Sequence, residues 1–140
     1  MIVLDTNVFS KSTKPLANPR VVEWFNRQDG RFLYLTAVNL AEVLEGTSIL
    51  PDGKRKLSLR TLVERQLAEY IKTPILPFDE KAAEVCADLM AYAKAKRYTL
   101  PMADAQIAAI AKLHGFAVAT RDVDPFIAAG VPVINPWAEP

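Results

Sequence analysis

Histidine and cysteine are nearly missing from this chain, which holds one of each, His114 and Cys86. A His/Cys zinc cluster, a histidine pair for acid–base work and an intrachain disulfide are therefore excluded. Glycine is sparse as well. The five glycines, at 30, 46, 53, 115 and 130, make neither a phosphate-binding loop nor a dinucleotide fingerprint. Neither sign of charge is in excess: 17 basic residues face 16 acidic ones, a net charge of +1. Contact with a polyanion must then come from a local patch. Long apolar runs are also lacking. The first ends at Asp5 after four residues with no basic segment before it, so neither a secretory leader nor a membrane span is expected. With a single cysteine, a cytoplasmic location is expected. Cys86 lies among Ala82, Val85, Leu89 and Met90 and reads as a small buried apolar residue. His114, just before Gly115, reads as the last turn of a helix, where a cation suits the dipole.

What is present suits one domain spanning 1–140, with a core of its own: 51% of the residues are apolar and 24% charged. Short apolar runs predict strands near 1–5, 32–35, 75–78, 116–120 and 131–134. Helices are expected between them. Asn18 and Pro19 open one. Thr36 caps a second that closes at Gly46, and a more polar one runs from near Gly53 to Lys72. Asp79 caps a helix with an apolar stripe at 82, 85, 86, 89, 90 and 93. Pro101 opens the last, which closes at Gly115. Strands alternating with helices imply a three-layer α/β/α sandwich around a central, mostly parallel five-stranded sheet. In such folds ligands bind at the carboxyl ends of the strands.

Acids occupy conspicuous places in this pattern. Met1-Ile2-Val3-Leu4 stops at Asp5, and the run 115–120 ends, after Arg121, at Asp122. Glu42 and Asp104 interrupt apolar helical stretches, and neither has a cation three or four residues away. Each admits a modest explanation alone. Asp5 can cap a helix, Asp104 can face a helix dipole, Glu42 can lie on an exposed edge and Asp122 can sit in a turn. Taken together, buried carboxylates need a shared cation or a shared proton. Oxygen ligands without histidine or cysteine select Mg²⁺ or Mn²⁺ over Zn²⁺, and such ions serve phosphodiester hydrolysis. A phosphatase of the haloacid-dehalogenase kind would want an aspartate where Asn7 stands.

Leu4-Asp5-Thr6-Asn7, Ala41-Glu42-Val43-Leu44-Glu45-Gly46, Ala103-Asp104-Ala105-Gln106-Ile107-Ala108 and Ala119-Thr120-Arg121-Asp122 occur in this order. In order and spacing they resemble the successive motifs of the PIN-domain ribonucleases, most of all the VapC/FitB-type toxins of type II toxin–antitoxin pairs. The resemblance extends to the closing Val133-Ile134-Asn135-Pro136-Trp137. It implies a metal-dependent endoribonuclease with Asp5, Glu42, Asp104 and Asp122 as catalytic, metal-binding acids. Thr6, Asn7 and Thr120 match the supporting polar neighbours, and Asp124 is an outer group or a turn residue. The resemblance also implies a homodimer and an antitoxin, a small DNA-binding protein of ribbon-helix-helix type. That partner's tail arginine would neutralise the acids. The alternative is a PIN-like binding module that has lost catalysis and only partners a DNA-binding regulator.

RNA must approach an acidic pocket, so basic residues should ring it. Lys11, Lys14 and Arg121 are the expected phosphate contacts, and Arg20, Lys94, Lys96 and Arg97 are further candidates. The stretch from Lys54 to Arg60 reads rather as a solvated helix face. Trp24, Phe25 and Trp137 offer apolar surface for a second copy or an antitoxin, or else ordinary core.

Overall fold

The computed structural model describes residues 1–12 and 18–138, with the side chains of 11 and 12 outside that description. Among these residues four strands, β1 (Ile2–Leu4), β2 (Leu33–Tyr34), β3 (Ala117–Ala119) and β4 (Val133–Ile134), pair in parallel in the order β2-β1-β3-β4. Ile2 stands opposite Leu33 and Ala117, and Leu4 opposite Ala119. The strands are apolar on both faces because both are covered. Val3 and Val118 join one core cluster, while Leu4 and Ala119 join another.

The sheet has four strands where five were expected. The run 75–78 reaches the edge of β2 but makes only one bridge, between Thr36 and Leu76. Leu76 spends both backbone groups there: its N–H donates to Leu35 and its carbonyl accepts from Ala37. Pro74 and Pro77 stand on either side of Ile75-Leu76. Neither has an N–H to donate, so the ladder cannot continue.

Helices cover both faces. On one lie α5 (Glu80–Lys96), α6 (Met102–His114) and α7 (Asp124–Ala128). Ala82, Cys86, Leu89 and Ala93 of α5 are buried along one stripe, with Val85 and Met90 partly buried beside them. Helix α6 buries Ala105 and all of 107–111, so it lies in the core nearly all round. Gly115 ends it with φ 71°, a left-handed turn that favours glycine. The other face holds α1 (Thr6–Ser12) and α2 (Pro19–Asn26), with Val8, Phe9, Trp24 and Phe25 in its core. Ordinary core is therefore the fate of Trp24 and Phe25. Helix α4 (Lys54–Tyr70) adds Leu67 and Tyr70 to that face. Its i,i+4 ion pair Arg60–Glu64 and the Lys56–Asp52 pair make the 54–60 stretch the solvated face expected of it. Among the described residues no helix is long and apolar enough to cross a membrane.

Between α1 and α4 comes α3 (Ala37–Ser48). Thr36 caps it as expected, but Gly46 does not end it: the helix continues to Ser48 and closes at Ile49. Among the described residues, no atom outside the helix's own backbone and the adjoining residues lies within 4 Å of where a Cβ would project from Gly46. Glycine in a helix costs conformational entropy without a compensating contact there. Gly46→Ala is expected to stabilise the protein by about 0.5–1 kcal/mol. A rise in the urea midpoint at unchanged m-value checks this.

Candidate active site

The carboxyl ends of β1 and β3 lie side by side, and the chain places its acids just past them. The Asp5 amide donates to Ala119 O at 2.8 Å, which carries the ladder one residue beyond β1. The Thr120 amide does the same toward Ile134 at 2.9 Å. Asp5 is also where the chain turns into α1, its carbonyl accepting from the amides of Val8 and Phe9. Its side chain is 7% exposed. Two donors hold it: the Thr6 amide at 2.8 Å from Oδ1 and the Thr120 hydroxyl at 2.7 Å from Oδ2. Thr120 in turn accepts the Asp122 amide at 3.1 Å, so one buried hydroxyl joins the first acid to the backbone of the last.

Glu42 comes from the middle of α3 and reaches across to α1, where the Thr6 hydroxyl donates to Oε1 at 3.0 Å. The same Thr6 oxygen accepts from Asn39 Nδ2 at 3.2 Å. Asn39 is fully buried and is itself held by Thr36: Oδ1 accepts from the Thr36 hydroxyl at 2.7 Å and from the Thr36 amide at 3.1 Å. A hydroxyl has one proton. With Asn39 filling an acceptor position on Thr6, that proton is free for Glu42. Asn39 was not among the expected site residues. Its signal was the capping-box spacing, Thr36 and then a polar residue three positions on, inside an otherwise apolar turn.

Asp104 sits in the first turn of α6 and is half-buried. Burial first, then the charges of Asp5, Asp122 and Glu42, push its carboxyl from 3.8 up to about 6. Asp5 also lies above its ordinary value. Burial raises it, the bonds from Thr120 and Thr6 pull it back, and the Asp122 charge adds to the rise. Glu42 is raised as well: desolvation raises it, the Thr6 bond opposes, and Asp5 and Glu45 add to the rise. The three neighbours that raise Asp104 are the other three acids, so all four occupy one electrostatic neighbourhood. No ion pair among the described residues engages any of them.

The other expected residues fall differently. Asp124 is the first residue of α7, exposed, and does not figure among the charges that raise the acids. Arg121 is exposed, its guanidinium 5.6 Å from the Trp137 ring centre. The side chain of Lys11 and all of Lys14 lie outside the described residues. Asn7, two residues past Asp5, has a buried Oδ1 without a hydrogen-bond partner among the described residues.

The side-chain groups of the four acids are all oxygen, and no ion pair among the described residues engages them, which is the chemistry of a site for a hard divalent ion. Among the described residues no group of three or more acidic, histidine or cysteine side chains is already arranged to hold one ion. Beside Glu42 an apolar groove of about 340 Å³ opens between α3 and α4, lined by Phe9, Val43, Leu59, Leu62 and Val63.

Residues 2–131 match the PIN domain, and the chain belongs to that family. It is 44% identical over 137 residues to VapC ribonuclease Y4jK of Sinorhizobium fredii, covering 98% of each chain. It is 42% identical to Toxin FitB of Neisseria gonorrhoeae, covering 98% of this chain and 99% of that one. Its fold is similar to that of a chain in the structure of FitAB bound to the IR36 DNA fragment. There the TM-score is 0.92 and the identity 41%, over 100% of this chain and 98% of the other.

The raised carboxyl of Asp104 has a thermodynamic consequence. The folded chain holds this proton more tightly than the unfolded chain does, so stability falls as pH rises from 3.8 to about 6. Asp5 and Glu42, raised too, contribute with the same sign. In metal-free protein Asp104→Asn is expected to raise the urea midpoint at pH 7 and to flatten that fall. Urea titrations at a series of pH values check both effects.

Proposed function

We propose that this chain, acting as one domain, is a metal-dependent endoribonuclease and the toxin of a toxin–antitoxin pair. The observation that carries this is a buried Asp5 beside Thr6, whose hydroxyl holds Glu42, and joined through Thr120 to the backbone of Asp122, with no ion pair among the described residues on any of the four acids. Asp5, Glu42, Asp104 and Asp122 would hold Mg²⁺ or Mn²⁺. Glu42 and Asp122 are exposed, Glu42 steadied by the Thr6 hydroxyl, whereas Asp5 is buried and pinned by its two donors. When bound, the metal would supply an activated water and a counter-charge for phosphate oxygens.

The chain's own groups set up the rest. Thr120 and the Thr6 amide favour the ionised form of Asp5, in part against its burial, by donating to both of its oxygens. Thr6 aims Glu42 from the side. Asn7 Oδ1, buried and without a hydrogen-bond partner among the described residues, would be a further oxygen acceptor beside the first acid. Lys11, Lys14 and Arg121 would draw the RNA backbone in, since the pocket itself repels it.

The toxin assignment is supported by likeness to proteins named as a toxin and as a VapC ribonuclease. The partner would be a small DNA-binding antitoxin, of ribbon-helix-helix type in this proposal; the likeness to a chain of FitAB bound to a DNA fragment supports a partner that binds DNA. The apolar groove ending at Glu42 suits a tail whose arginine would neutralise the acids. A homodimer in the cytoplasm completes the proposal.

Purified protein is expected to cut RNA only with Mg²⁺ or Mn²⁺, and chelator to stop it reversibly. Asp5→Asn should fall below detection in a fluorescent-RNA assay while melting cooperatively. Undiminished cutting by that variant would overturn the metal assignment.

Asn39 should matter without touching metal. Asn39→Ala removes the donor that leaves the Thr6 proton to Glu42, and is expected to weaken Mn²⁺ binding. Thr36→Val loses the same cap but keeps the Asn39 amide on Thr6, and should bind Mn²⁺ nearly as the parent does. Calorimetric Mn²⁺ titration of both variants separates positioning from mere destabilisation.

A further inference from the structure

We infer that Arg20 and Arg121, gathered on Trp137, form a phosphate-binding platform for single-stranded RNA beside the acid cluster. The inference rests on the proposed RNA-cleaving function and extends it to residues from three separate segments. Arg20 stands at the start of α2, its backbone tied to the Asn18 cap, and its Nη1 donates to the Trp137 carbonyl at 3.4 Å. Arg121 follows Thr120 past the end of β3 and directly precedes Asp122, and its guanidinium lies over the Trp137 ring at 5.6 Å. Trp137 is half-buried and packs against the core cluster of Leu4, Val8, Phe9 and Trp24. It is thus a fixed post to which both guanidinium groups are attached.

Both arginines are exposed, and no ion pair among the described residues engages either one. Arg31, Lys56 and Arg60 each have a carboxylate partner. A guanidinium held by a ring and one held by a single carbonyl keep most of their N–H groups free. Such forks match phosphate oxygens, and an arginine on an aromatic ring also offers a flat face to an unstacked base. Arg121 directly precedes Asp122, and with Arg20 on the same tryptophan it would offset part of the repulsion an RNA strand meets on approaching four carboxylates. The partner is therefore a phosphodiester strand with splayed bases rather than an acidic protein surface.

The test is binding, read on the Asp104→Asn protein so that it does not depend on whether the chain cuts. Fluorescence anisotropy with a labelled single-stranded RNA oligonucleotide is measured in Mg²⁺ across a salt series. Arg20→Ala and Arg121→Ala are each expected to weaken binding about tenfold. Together they should reduce the slope of log K against log salt by about 1.4, two phosphate contacts' worth for a single strand. Arg31→Ala, near the amino end of β2 at the opposite edge of the sheet, should leave affinity unchanged. Both platform residues are exposed, so thermal melts of the variants should match the parent. Unchanged affinity and slope in the double variant would overturn the platform and leave Arg121 and Arg20 as pins for the C-terminal segment. Loss from Arg121→Ala alone would overturn the sharing of the site by Arg20. Absence of cleavage by the parent protein would count against the proposed function and leave the binding result standing.

Discussion

Four carboxylates that repel one another, held at one edge of a parallel sheet, are the constraint around which this protein is built. A folded chain does not keep such charges together for stability, because each raises the cost of ionising the others. Two of them are held there by neutral donors. Thr120 and the Thr6 amide bracket Asp5, and the Thr6 hydroxyl brackets Glu42. Those bonds partly compensate desolvation without cancelling the charge, and the pocket remains electrostatically unsatisfied. An unsatisfied anionic pocket is what a hard cation would complete.

The scaffold serves this edge. Strands β1 and β3 are adjacent, so the residues that follow them emerge together, and ladder bonds continue through Asp5 and Thr120 to hold their backbones in register. Helix α6 brings Asp104 in its first turn, where the dipole favours an anion but burial and three neighbours oppose it. The opposition wins: the carboxyl sits above its ordinary value. Helix α3 delivers Glu42 with the help of Asn39 and Thr36, a buried polar chain that joins the helix cap to the acid cluster. A cap normally settles only the end of a helix. Here its side chains also decide which way the Thr6 hydroxyl points.

Local chemistry overrode pattern where sequence and structure differ. The run 75–78 is apolar enough for a strand, yet Pro74 before it and Pro77 within it leave it one bridge. Gly46 looks like a helix stop, but the helix runs past it to Ser48. The apolar stripe of α5 and the glycine that closes α6 followed their patterns because burial and a left-handed cap both rewarded them.

The sequence by itself determined the alternation of strands and helices, the family and the positions of the four acids, since each is written in short-range pattern and spacing. Only the tertiary structure decided which of those acids share a field, that Thr6 serves Glu42 while Thr120 serves Asp5, and that Asn39 stands behind Thr6. It also brought Arg20 and Arg121 to one tryptophan. These are contacts between residues far apart along the chain, such as Thr120 and Asp5, separated by 115 positions. Periodicity reports the faces of a helix or strand, but the direction of a hydroxyl proton depends on which side chains the packed core brings within reach.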